Sequence, residues 1–169
     1  MVLNKVLYAP WRKDYWTSNT KKNSKNSKTC VFCHPSDSEV IFSTKTAYIQ
    51  ANKYPYAAGQ LLIIVKRHVN QIIDLTSKER IDIFNLIDLS IFALKIYMNP
   101  EGFNVGCSIG EVAGESISHL HFHVLPRRKG DIGWNRLCDF EVVSISPEQV
   151  VNDIKKIIQK HKLKTKFDL

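Results

Sequence analysis

Hydrophobic and polar positions along the first half of the chain predict strands. Glu39–Ser43, Lys45–Ala51 and Gln60–Lys66 each read as one, and the third is apolar throughout, as in a central strand covered on both faces. Between the second and third, Asn52-Lys53-Tyr54-Pro55-Tyr56-Ala57-Ala58-Gly59 carries the Pro and Gly punctuation of a turn. The period then changes. Thr76-Ser77-Lys78-Glu79 is a capping-box signature, with a hydroxyl at the N-cap and a carboxylate three residues later. The helix it opens places Ile83, Ile87, Ile91 and Leu94 on one side and stops before Asn99-Pro100, because proline disfavours helical backbone in the residue before it. Phe103–Ile109 reads as a strand and Gly110–Gly114 as a glycine-bounded loop, followed by another alternating run. Ser146-Pro147-Glu148-Gln149 opens a second helix, with proline at the first helical position and a Ser/Gln box. There are no internal repeats. Strands, helix, strands, helix in this order predict an α+β domain with a largely antiparallel sheet.

The last alternating run is His119-Leu120-His121-Phe122-His123-Val124-Leu125. Residues two apart on a strand share a face, so three imidazoles line one side while Leu120, Phe122 and Val124 pack into the other. Half of the chain's six histidines fall within five residues. Two chemistries fit. Three imidazoles on one face could hold a catalytic zinc with an open position for water. Alternatively, one imidazole is a nucleophile oriented by a neighbour. Gly106, Gly110 and Gly114, with Ser108 and Ser116, allow close backbone approach to an anion and shift weight toward phosphorus chemistry.

Cys30-Val31-Phe32-Cys33 is a half-site for zinc, and candidates for the other half are His68 and His119. His34 completes a C-x-x-C-H pattern, but haem attachment requires export, and the aromatic, charged stretch Met1–Trp16 does not read as a signal peptide. A redox dithiol or plain buried cysteines are the remaining alternatives. Cys107 and Cys138 are isolated and read as ordinary buried thiols.

Composition narrows the classes. A length of 169 residues, 44% apolar and 24% charged, fits one globular domain with a sizeable core. There is no apolar run long enough for a membrane span, and four cysteines do not make a secreted disulfide framework, so the cytoplasm is the expected location. The net charge of +8 resides in Lys21, Lys22, Lys25 and Lys28 and in Lys155, Lys156, Lys160, Lys162, Lys164 and Lys166. Without those two clusters the remainder is slightly negative. Neither cluster has the interleaved aromatics of a nucleic-acid face, so both read as solvated surfaces. Residues 1–16 are expected to pack on the domain as an aromatic segment, 17–29 to form a flexible polar insertion, and 30–169 to make the domain with its Lys-rich C-terminal helix.

His119-Leu-His121-Phe-His123-Val-Leu resembles the signature of the histidine triad (HIT) superfamily. The opening Leu7-Tyr-Ala-Pro-Trp-Arg-Lys-Asp-Tyr15, the Cys30/Cys33 pair and Gly102-Phe-Asn-Val-Gly106 resemble the branch of diadenosine tetraphosphate phosphorylases and related hydrolases. The resemblance implies a sheet of about five antiparallel strands with two main flanking helices, usually in a homodimer. It implies an adenine nucleotide substrate attacked at its α-phosphorus, with a nucleotidyl-histidine intermediate. His121 would be the nucleophile, His123 would hold and polarise it, and Ser116 would contact the α-phosphate. Asn52 matches the ribose-binding position, and Gln60 and Ser108 complete the expected nucleotide contacts. Cys30, Cys33, His68 and His119 would hold a structural zinc, while magnesium could accompany a polyphosphate substrate as its chelate. Two positions depart from the pattern. Gln60 stands where the family often has a histidine, and Glu115 where related hydrolases often have a glutamine. A glutamine cannot carry a proton at neutral pH, and a carboxylate near a polyphosphate repels it unless turned away or protonated. The competing readings are a non-catalytic, zinc-stabilised nucleotide-binding adaptor and a three-histidine metal hydrolase.

Overall fold

In the computed structural model, residues 28, 30–131 and 146–161 are described. The aromatic segment, the polar insertion apart from Lys28, Cys138 and the last lysines (Lys162, Lys164 and Lys166) lie outside the described residues. Five strands form one antiparallel sheet: β1 (Val40–Ser43), β2 (Ala47–Ala51), β3 (Leu61–Val65), β4 (Gly102–Gly106) and β5 (His121–Arg127). Their spatial order is β1-β2-β3-β5-β4, which puts the wholly apolar β3 in the middle, where it is buried at every position. Two helices, α1 (Ser77–Met98) and α2 (Pro147–Lys160), accompany the sheet.

Alternation along the strands assigns two faces. Ala47, Ile49, Leu61, Ile63, Val65, Leu120 and Val124 form one core with Ile83, Leu86 and Leu94 of α1 and Val150 and Ile154 of α2. Full burial of a side chain such as Ile63 is worth about 1.5–3 kcal/mol, and this face buries more apolar side chains than the opposite one. On the opposite face, Tyr48, Leu62 and Ile64 make a smaller cluster with Cys30 and Phe32. Register decides what joins them there: Leu62 pairs with His123 and Ile64 with His121. The histidines therefore sit on the face that the helices leave open.

The caps form as the sequence predicts. Thr76 accepts the Glu79 amide while the Glu79 carboxylate takes the Thr76 amide at 2.8 Å. Asn99 ends α1 in the left-handed conformation at φ 46°. Ser146 accepts the Gln149 amide at 3.2 Å, half of the expected box.

Several strands are shorter than expected because local turns capture their end amides. The Glu39 amide bonds to Ser36 O, so β1 starts at Val40. Thr44 takes the Thr46 and Ala47 amides on its hydroxyl, which places Lys45 and Thr46 in the turn before β2. The Gln60 amide bonds to Ala57 O and closes the Pro-Gly turn just before β3. β4 covers Gly102–Gly106 rather than Phe103–Ile109. Its last pair is Gly106 with His123, after which the chain folds into a compact loop around Gly110. The histidine run also enters the sheet late. The His119 and Leu120 amides bond to Ile117 O and Val69 O, and β5 begins at His121.

Candidate active site

Two groups of side chains meet along the histidine run. The first is built around the Cys30–Cys33 turn, which the Tyr48 hydroxyl ties to the sheet by donating to Phe32 O at 2.8 Å. Burial pushes the Tyr48 phenol far up from its usual range, so it remains a neutral donor. Cys30 Sγ lies 3.3 Å from His119 Nδ1, and Cys33 Sγ lies 3.2 Å from His68 Nδ1 and 3.5 Å from His119 Nδ1. Among the described residues, Cys30, Cys33, His68 and His119 are the one group of three or more potential ligands, with all donor atoms within 4.8 Å of one another.

The donors fit a metal. A tetrahedral zinc with bonds of about 2.0–2.3 Å separates its ligand atoms by roughly 3.5 Å, close to the spacings here. The Val65 carbonyl can only accept, so at 2.6 Å it fixes the His119 proton on Nε2 and leaves Nδ1 bare toward the thiols. Burial holds His119 down at about 4, and burial together with Cys30 pushes Cys33 up to about 11. A cation entering the cluster must displace the Cys33 proton, which makes its affinity fall in acid. His68 follows β3 beside Arg67, which is clamped to Glu79 at 2.8 Å and to Asp74 O. The cluster is thereby tied to the start of α1.

The second group is His121 and His123. His121 Nδ1 lies 2.7 Å from His119 O, again an acceptor only, so the proton is on Nδ1 and Nε2 carries the lone pair. Burial pushes the His121 pKa down. Phe32 packs on both His119 and His121, with ring centres 5.8 and 5.0 Å away. His123 lies edge-on to His121 at 4.9 Å and is lowered to about 3, by burial first and His121 second. The three imidazoles do not converge on one ion, because the bare nitrogen of His119 faces the cysteines. The phenyl of Phe32 and the carbonyls of His119 and Val65 were not identifiable from sequence as site groups. Their roles depend on contacts across the fold.

The remaining expected residues surround this pair. Gln60 is buried, with Nε2 2.9 Å from His123 Nδ1 and Oε1 accepting the Tyr56 amide at 2.7 Å. The amide expected to touch nucleotide is therefore engaged with the protein. Asn52 follows β2, donates its amide to Gln60 O, and receives the Tyr54 amide on Oδ1 at 3.0 Å, so that among the described residues its side-chain NH2 has no hydrogen-bond partner. Ser108 and Ser116 are half-buried on the loops flanking the Gly110 turn. Glu115 folds back so that its carboxylate accepts the Gly110 amide, which turns the charge onto the loop's own backbone. Cys107 is half-buried against the main core rather than fully enclosed.

A model of the HIT domain matches residues 34–130, more than half of the chain. The chain belongs to the HIT family. Relatives of this HIT protein include the AP-4-A phosphorylase of Mycobacterium tuberculosis, 35% identical over 135 residues that cover 74% of this chain and 69% of that one. Another is the bis(5'-adenosyl)-triphosphatase of Dictyostelium discoideum, 28% identical over 119 residues, 70% of this chain and 72% of the other. Among solved structures, the Plasmodium falciparum diadenosine triphosphate hydrolase, bound to cyclomarin A, superposes with a TM-score of 0.63 at 26% identity. That match covers 75% of this chain and 80% of the hydrolase. A zinc-bound histidine triad protein from Mycobacterium smegmatis shares the fold, with a TM-score of 0.66 at 20% identity over 81% of this chain and 98% of its own. The HIT fold expected from the histidine run, a five-stranded antiparallel sheet with two helices, is the one observed. No helix among the described residues is long and apolar enough to cross a membrane.

Proposed function

We propose that this HIT protein is a nucleotide hydrolase or nucleotidyltransferase in which His121 Nε2 attacks the α-phosphorus of an adenine nucleotide. The observation that carries the reading is the 2.7 Å contact of His121 Nδ1 with His119 O, which leaves Nε2 with a free lone pair on the open face of the sheet. In the first step an N–P bond forms, the bond from phosphorus to the leaving group breaks, and that group departs with the electron pair. In the second, water or phosphate attacks the same phosphorus, the N–P bond breaks, and its electrons return to Nε2; an attacking water releases its proton to solvent. His123 borders the same site, Ser116 contacts the α-phosphate, and Asn52 with Ser108 holds the nucleoside end. The named activities of the relatives, which act on dinucleoside polyphosphates, support this substrate class.

Cys30, Cys33, His68 and His119 would hold zinc in a closed structural site, supported by their donor spacings. Bound there, zinc would fix His119, whose carbonyl in turn orients His121. The reading includes a reducing, cytoplasmic setting in which these thiols persist, and a homodimer joined through β4, which is an edge strand among the described residues and carries exposed Val105.

Brief reaction with a panel of adenylated substrates, followed by intact-protein mass measurement, tests the proposal. Wild type should gain the mass of one adenylyl group and His121→Ala should not. Nucleotide binding with neither adduct nor turnover on any substrate would instead favour the non-catalytic adaptor.

A further inference from the structure

Gln60 occupies a decisive place in this site. It is 2% exposed, and its backbone is held on both sides, by its own amide on Ala57 O and by the Asn52 amide on its carbonyl. The Tyr56 backbone N–H, 2.7 Å from Gln60 Oε1, can only donate. That contact fixes which way the carboxamide points: Oε1 accepts, so Nε2 is the end that faces His123 Nδ1 at 2.9 Å. An NH2 group can only donate as well. His123 Nδ1 must therefore be the acceptor, and the proton of the neutral ring is on Nε2. Turning the carboxamide over would set NH2 against the Tyr56 N–H, two donors facing each other in a buried place.

We propose that Gln60 is a positioning residue that locks His123 with its proton on Nε2, and that this lock restricts the site to phosphoric anhydrides over phosphoramidates. The restriction rests on the reading of His121 as nucleophile. When an anhydride reacts, the P–O bond breaks and the electron pair remains on a phosphate oxygen, which is stable as an anion. A hydrogen bond from His123 Nε2–H is enough for it. When a phosphoramidate reacts, the P–N bond breaks and the pair goes to an amine nitrogen, which must gain a proton as it leaves. A neutral imidazole N–H is too weak an acid to supply that proton near neutrality. Gln60 keeps His123 from becoming imidazolium, because a proton on Nδ1 would meet the carboxamide N–H. Burial acts in the same direction, holding His123 at about 3. Among the described residues, neither other titratable group facing the pair replaces it. His121 commits its Nδ1 proton to His119 O, and the Glu115 carboxylate is on the Gly110 amide.

The test uses the 15N-labelled, zinc-loaded full chain. Long-range 15N–1H spectra should show an acceptor-type Nδ1 and a protonated Nε2 on His123, unchanged between about pH 5 and 8, the range where a free imidazole titrates. A protonated Nδ1 would overturn the lock. The same preparation is then assayed on diadenosine tetraphosphate and on an adenosine 5'-phosphoramidate of an alkylamine. kcat/KM should favour the anhydride by at least about 100-fold, the lower end of what a positioned general acid contributes. Equal turnover of the two would overturn the restriction. Gln60→Glu should move the His123 proton to Nδ1, and Gln60→His should narrow the substrate ratio; a Gln60→Glu spectrum identical to wild type would contradict the positioning role. Should either variant fail to fold, the wild-type spectrum and substrate ratio still decide. A locked tautomer with no turnover or adduct on either substrate would refute the nucleophile reading and the restriction together, with the lock itself upheld.

Discussion

His119 and His121 are two residues apart on one face, yet they present opposite nitrogens. His119 gives its Nε2 proton to Val65 O and points Nδ1 at two thiols, while His121 gives its Nδ1 proton to His119 O and leaves Nε2 bare. The difference is made by backbone carbonyls, which can only accept and so choose the tautomer. It divides the run into an enclosed ligand and a reactive imidazole. The two are joined through one peptide group: whatever fixes the His119 ring also steadies the carbonyl that orients His121. A single strand entrance thus serves both a metal-type cluster and a nucleophile.

Removing one partner at a time separates the roles of the two imidazoles. His121→Ala should lower kcat by on the order of 10⁴-fold or more while the metal cluster remains intact, measured by steady-state turnover and metal content. Cys30→Ser should do the reverse first. It should release the metal and cost several kcal/mol, on the order of 10 °C in Tm for a chain of this size, with activity falling through loss of His121 orientation. A chelator should reproduce the shift in wild type and cause little further shift in the variant.

A smaller effect probes the turn that sets Gln60 against His123. Gly59 sits at φ 79°, and a Cβ there would lie 2.7 Å from Met98 Sδ. Gly59→Ala should cost about 1–2 kcal/mol from the left-handed backbone, read by chemical denaturation, and should disturb His123 more than the cysteine cluster. The smallest expected effect concerns the anchor of the other half. Arg67 and the Thr76 cap hold the Glu79 carboxyl down at about 2. A lowered carboxylate contributes stability that is present above its ordinary value near 4.5 and lost as pH falls toward 2. Glu79→Gln should flatten the acid limb of a stability-versus-pH curve in that window, and Thr76→Ala should cost about 1 kcal/mol at neutral pH.

Much of this arrangement was legible in the chain because it depends on local pattern. Alternation placed Leu120 and Val124 in the core, and spacing marked Cys30 and Cys33 as a half-site for which His68 and His119 were candidate partners; the family resemblance completed the set, and the fold brings the four together. Thr76 and Ser146 marked their helices through side chains that bond within one turn. The strand ends were not legible, since Thr44 and Gly110 take amides and side chains away from the ladder. Nor were the directions of the imidazole protons. Those depend on Val65 O, His119 O and the Tyr56 N–H acting through Gln60, groups whose identity is the same in any sequence and whose position is set only by packing. Glu115 is a similar case: its type predicted repulsion of a polyphosphate, and its place on the Gly110 amide shows where the charge is directed.

The division of labour between His119 and His121 is tested most directly by the zinc content of wild type, Cys30→Ser and His121→Ala, each purified without chelator. Wild type and His121→Ala should each carry about one zinc per chain, and Cys30→Ser little or none. Zinc retained by Cys30→Ser and lost from His121→Ala would contradict it and place the ion on the three histidines instead.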